Sequence, residues 1–134
     1  MANALYGKGK EKLLTAAINL SSDTIKAAIV SSAYTPNLST HEFWSDVVAN
    51  ILNTAGTLGS KTVTLGVFDA ADITFTAVTS GSTAKAVVLY KDTGLNSTSP
   101  LIAYIDTLTG FPLATNGGDI QIIWDSGANK IFAL

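Results

Sequence analysis

The stretch His41-Glu42-Phe43-Trp44-Ser45-Asp46 opens like the zinc motif H-E-x-x-H, in which two histidines one helical turn apart hold the metal. Ser45 stands where the second histidine belongs, and His41 is the only histidine of the chain. Asp92-Thr93-Gly94 and Asp125-Ser126-Gly127 have the loop sequence in which aspartic proteases pair two carboxylates. Their context differs: Lys91 directly precedes Asp92, and only nine residues follow Asp125. Asp-x-Gly is also ordinary turn chemistry, because aspartate bonds its own backbone and glycine takes positive φ without strain. Asp69, Asp72, Asp106 and Asp119 offer oxygen ligands of the kind calcium takes, but without D-x-D-x-D-G spacing. No serine lies in a G-x-S-x-G elbow, and TLGSKT departs from the phosphate-loop pattern. These residues predict turns and caps, with no catalytic residue, cofactor or metal.

Those residues are held by elements readable from period. Lys10–Leu20 carries Leu13, Leu14, Ala17 and Ile18 at helical spacing and predicts a helix. TIKAAIVSSAYT predicts a strand. Ser39 with Glu42 reads as a capping box, with Leu38 and Phe43 as its staple, opening a short helix near residues 40–52. From Ser60 onward strand and turn alternate about every dozen residues. Val63, Leu65 and Val67 read as one face of a strand, Asp69–Asp72 as a turn, and Ile73, Phe75 and Ala77 as the return. AKAVVLYK and LIAYID are further strands. Ile120–Trp124 and Lys130–Leu134 read as a closing hairpin around Asp125–Asn129. The fold expected is a single mainly β domain over residues 1–134, an antiparallel sandwich or barrel with an N-terminal helix.

Composition narrows the class of partner. Of 134 residues 47% are hydrophobic and 13% charged, with a mean hydropathy of +0.34. Soluble domains carry about 25% charge, so much of the surface must be neutral, as suits a chain packed against others. All eight basic residues are lysine, which removes the bidentate arginine forks that read bases and clamp phosphates. Nucleic acid is therefore not an expected partner. Without cysteine there are no disulfides or thiolate metal sites. No apolar run approaches the roughly 18 residues that span a membrane, and the N-terminus has no signal-peptide pattern.

Two stretches are candidate protein contacts. Lys8, Lys10 and Lys12 beside the single Glu11 make the first twelve residues basic on an acidic body of net charge −2 overall. Leu5 and Tyr6 precede the helix with little evident to fold against, so residues 1–9 read as a docking arm. Ile131, Phe132 and Leu134 point to both faces of the last strand, which predicts cover by the domain's core on one side and by a neighbouring subunit or the N-terminal helix on the other.

Several stretches taken together, SDTIKAAIVSSAYTPNLSTHEFWSDV, KTVTLGVFDAADITFTAV, AVVLYKDTGLNSTSPLIAYID and GGDIQIIWDSGANKIFAL, resemble a family of small structural proteins of tailed bacteriophages. The most distinctive pieces are THEFWSDV and YKDTG…SPLIAYID, and the resemblance covers about residues 5–134. It implies a non-enzymatic virion component assembled in the bacterial cytoplasm, first a capsid decoration (cement) protein and second a minor tail or fibre-associated protein. The partners implied are the major capsid protein or tail components, together with further copies of the chain in a homo-oligomer. A carbohydrate-binding module is the alternative from another class. It would require exposed aromatics among Tyr6, Tyr34, Trp44, Tyr90, Tyr104 and Trp124, of which Tyr104 and Trp124 already read as core.

Overall fold

Aliphatic and β-branched residues run almost unbroken through Ile25–Ser31 and Thr83–Lys91, the pattern of strands covered on both faces. In the computed structural model, which describes residues 3–108 and 110–134, these two segments pair antiparallel as the centre of the main sheet. In chain order the elements are β1 (Ala4–Leu5), α1 (Gly7–Leu14), β2 (Ile25–Ser31), β3 (Gly56–Thr57), β4 (Thr62–Thr64), β5 (Val67–Asp69), β6 (Ile73–Phe75), β7 (Thr83–Lys91), β8 (Leu101–Ile105), β9 (Leu113–Ala114), β10 (Ile120–Ile122) and β11 (Phe132–Ala133). The main sheet runs β1-β8-β7-β2-β3, with β9 on the far end of β7. Two small antiparallel sheets, β10-β6 and β11-β5-β4, complete the mainly β, sandwich-like fold.

The alternation of the central strands divides the interior in two. Ile25, Ala27, Ile29, Val87, Leu89, Ala103 and Ile105 form one core with Phe68, Phe75, Ile120, Ile122, Trp124 and Phe132 of the small sheets and their loops. Ala28, Val30, Ala86, Val88, Tyr90 and Tyr104 face the opposite way, where Tyr6, Tyr34, Trp44 and Val47 cover them. A long connection between β2 and β3 thus does the work of a second layer.

Four expectations from sequence are corrected. The N-terminal helix is Gly7–Leu14, not Lys10–Leu20; the chain leaves it through Ala16 at φ +64, and Ile18 and Leu20 then enter the core from the turn. The helix near 40–52 is instead two 3-10 turns, Trp44–Asp46 and Val48–Asn50. Asp46 rather than Ser39 supplies the capping oxygen: its Oδ2 accepts the Glu42 and Phe43 N–H groups at 2.9 and 3.2 Å. Backbone bridges from Phe43 to Pro100 and from Ile51 to Val30 hold the segment extended at both ends. The stretch read as one strand through Leu65 is a hairpin, turning at Leu65-Gly66 between β4 and β5. Both turn residues have positive φ, +51 and +78, as a two-residue turn matching strand twist requires. Glycine does this freely; a leucine there costs on the order of 1 kcal/mol or more. Finally, the closing hairpin does not form. β10 pairs with β6 and β11 with β5, so the two ends of that segment belong to different sheets.

Candidate functional site

Residues 3–9 of the expected arm are part of the fold, and residues 1 and 2 lie outside the described residues. Ala4 and Leu5 pair with Tyr104 and Ala103 of β8, and the Tyr6 N–H donates to the Ile102 carbonyl at 3.0 Å. Tyr6 is fully buried. α1 then lies on β8 through Gly9, where a Cβ would stand 2.5 Å from the Leu101 carbonyl oxygen. The missing side chain sets that approach. The reading of Leu5 and Tyr6 as having little to fold against is therefore overturned. The sequence signal for the true arrangement was the Gly7-x-Gly9 pair: Gly9 lets the helix touch β8 backbone to backbone, and Gly7 lies against the Leu38 carbonyl of the β2–β3 connection.

The lysines face outward with different degrees of engagement. Lys8 lies 3.4 Å from Glu11 on a half-exposed surface. Lys12 pairs with Glu42 at 2.8 Å and stands 5.3 Å from the centre of the Phe43 ring, so it ties α1 to the β2–β3 connection. Lys10 is exposed and lines an open hollow of about 740 Å³ with Asn3, Leu38, Asp125 and Lys130.

At the other end Ile131 and Phe132 are buried, and the Phe132 ring lies 5.4 Å from that of Phe68. Their cover comes from the chain's own core. The core thus covers Ile131 and Phe132, where the core was expected on one face only and a neighbouring subunit or the N-terminal helix on the other. Leu134 alone of the three is on the surface, 66% exposed.

The residues that suggested chemistry turn out to be structural fasteners. His41 Nδ1 accepts the Asn37 backbone N–H at 3.2 Å and contacts the Tyr34 hydroxyl at 2.8 Å. A backbone N–H can only donate, so the network assigns Nδ1 as the unprotonated nitrogen. Tyr34 then donates to His41 and accepts from Tyr6, whose hydroxyl is 2.7 Å away. Desolvation is the main cause holding all four tyrosines above their ordinary pKa: Tyr34 and Tyr90 are pushed up to about 12, Tyr6 and Tyr104 upward. For Tyr6 the hydrogen bond donated to Tyr34 adds to the rise.

Both Asp-x-Gly segments are turns closed by their own aspartates. Asp92 Oδ1 accepts the Gly94 N–H at 2.9 Å and Asp125 Oδ1 accepts the Gly127 N–H at 3.1 Å. Asp72 and Asp119 likewise cap the backbone at Trp124 and Ala77. Among the described residues no three His, Cys, Asp or Glu side chains gather as metal ligands.

Every tryptophan and tyrosine is buried, including the stacked pair Trp44–Tyr90 with ring centres 4.0 Å apart. What the surface does present is aliphatic: Leu14, Val63, Leu65, Leu95, Ile123 and Leu134. Of these only Leu134 was expected from sequence as a contact residue; Leu14, Val63 and Leu65 were read as helix and strand positions. Leu65 stands 98% exposed at the tip of the β4–β5 hairpin. Compared with known proteins, the chain matches no family model and no curated protein.

Proposed function

We propose that this chain is a non-enzymatic structural protein of a tailed bacteriophage virion, and first a capsid decoration protein bound to the outside of the head. The observation that carries the reading is the division of labour among side chains. Both tryptophans and all four tyrosines are spent inside the fold and the half-buried histidine is engaged by Tyr34 and Asn37, while the exposed large groups are aliphatic side chains at turns and edges. Such a surface suits binding by shape and apolar contact to a repeated neighbour. The resemblance of THEFWSDV and YKDTG…SPLIAYID to phage structural proteins supplies the virion setting. A carbohydrate-binding role loses its main support, since a sugar stacks on exposed aromatic faces and here the tryptophans and tyrosines are interior. A minor tail or fibre-associated component remains the second reading within the same class. Purified protein mixed with heads assembled without it should co-sediment with them in saturable, stoichiometric amounts. Failure to bind heads while binding tails would transfer the proposal to the tail, and binding to neither would reject it.

A further inference from the structure

Of the eight asparagines in the chain, only Asn116 is followed by glycine. The pairing matters chemically, because the backbone nitrogen after an asparagine can close a five-membered ring on the side-chain Cγ. A side chain on the following residue crowds that approach, and glycine has none. Asn116-Gly117-Gly118 lies in the connection from β9 to β10 and is exposed throughout.

The fold arranges this loop for the attack. Asn116 Oδ1 accepts the Gly118 N–H at 2.9 Å, an Asx turn whose closed ring contains the Gly117 nitrogen. The carboxamide is thereby folded back along the peptide that would attack it. Gly117 has φ +85, a Cβ there would meet nothing within 4 Å, and its N–H has no acceptor among the described residues. The Gly118 N–H has a second effect. It points at the oxygen on which negative charge develops when Cγ becomes tetrahedral, the geometry of an oxyanion donor. Asn19 and Asn37 hold the same kind of turn, accepting the Ser21 and Ser39 N–H groups at 3.0 and 3.1 Å, but a leucine follows each.

We propose that Asn116 is a self-modifying site, which converts to aspartate and isoaspartate in the folded protein. The Gly117 N–H gives its proton to hydroxide, and its nitrogen bonds to Asn116 Cγ. The Cγ–Nδ2 bond breaks, and ammonia leaves with a proton taken from water. Water then opens the resulting succinimide at either carbonyl, and nothing is oxidised or reduced. Opening at Cγ gives aspartate. Opening at the backbone carbonyl gives isoaspartate, whose main chain runs through Cβ and Cγ and is one atom longer. Either product adds one negative charge, taking the formal net charge from −2 to −3. The span that isoaspartate lengthens is fixed at both ends. The Thr115 N–H donates to the Ser82 carbonyl at 2.9 Å, and the Gly118 carbonyl accepts the Val78 N–H at 3.0 Å. Isoaspartate therefore strains the joint between the β6–β7 connection and the entry to β10. The site stands independently of the virion reading.

The test holds the purified full chain at mildly alkaline pH, folded and, in parallel, unfolded in guanidinium chloride. Peptide mass spectrometry with enzymatic isoaspartate detection then follows each asparagine. Conversion is expected at Asn116 ahead of every other asparagine, at a folded rate no lower than the unfolded one. A Cβ at residue 118 would lie 2.9 Å from Asn116 Oδ1, a movable side-chain atom. Gly118→Ala should therefore keep the fold, verified by circular dichroism, and push that oxygen out of its hydrogen bond. Loss of the bond should slow conversion about tenfold in the folded protein and leave the unfolded rate unchanged. Another asparagine reacting first, protection of Asn116 by folding, or a folded Gly118→Ala rate equal to wild type would each overturn the inference. Should Gly118→Ala unfold, the wild-type comparison still decides.

Discussion

Four buried tyrosines set the alkaline behaviour of this protein. In the folded state the tyrosines hold their protons above the ordinary value of about 10, chiefly because burial penalises the phenolate. The unfolded chain loses those protons near 10. Stability from this source is thus complete below pH 10 and is lost as pH rises from there through the folded-state values. Spectrophotometric titration at 295 nm should show no tyrosinate step near pH 10 while the protein is folded, followed by cooperative ionisation together with unfolding. One or more tyrosines titrating normally in the folded protein would contradict the buried cluster. His41 sits at the outer end of the same chain of hydroxyls. His41→Ala removes the acceptor of both Tyr34 and the Asn37 N–H and should cost about 1–3 kcal/mol in chemical denaturation. That exceeds what loss of a helix start alone would take.

At the scale of elements, the joints decide the outcome. Gly9→Ala would gain up to about 1 kcal/mol of helix propensity, but its Cβ meets a backbone oxygen at 2.5 Å, and overpacking of that kind costs about 1–3 kcal/mol. Net destabilisation is expected, measured as a lower melting temperature. Removing residues 1–9 should likewise unfold or severely weaken the domain, because it deletes β1 and Tyr6. The open ends of β2 and β7 are tied by a reciprocal pair, Lys26–Asp92 at 3.0 Å and Lys91–Asp23 at 3.1 Å. Backbone N–H bonds, from Asn19 to Asp23 and from Gly94 to Asp92, are the first cause that holds both carboxyls below the usual range, and the lysines add to it. A depressed folded pKa contributes stability above the unfolded value near 4, lost as pH falls through the folded value. Asp23→Asn with Asp92→Asn should flatten that acid limb and cost about 0.2–1 kcal/mol per exposed pair at neutral pH.

The long strands were legible because period and length agree: β7 and β8 stand where AKAVVLYK and LIAYID place them, and β2 begins at Ile25 of TIKAAIVSSAYT but ends at Ser31. The turn expected over Asp69–Asp72 is a crossover instead: Asp69 closes β5, and β6 pairs with β10 in a different sheet. The helix near 40–52 was misread because a capping pattern is local, while Phe43 and Ile51 are claimed by Pro100 and Val30 across the fold. Leu65-Gly66 was misread because alternation through 62–67 continues across a two-residue turn without breaking step. Tyr6 was taken as surface because nothing in its neighbourhood of sequence announces Tyr34, 28 residues on.

For the whole molecule, one interior on each side of the main sheet leaves the surface to neutral and aliphatic groups. Phe132→Asp probes that division: the ring is 8% exposed against Phe68, and its loss alone is of order 3–5 kcal/mol in a domain of 5–15 kcal/mol total stability. With a buried carboxylate added, the variant should be unfolded at room temperature by circular dichroism, and a folded monomer would contradict the core placement. The central claim, that the chain works by occupying a repeated position on a phage particle, is most directly tested by a cryo-electron microscopy map of that particle. The account predicts density matching this sandwich at symmetry-related positions on the outer face of the head. A map in which no such density occurs on head or tail would contradict it.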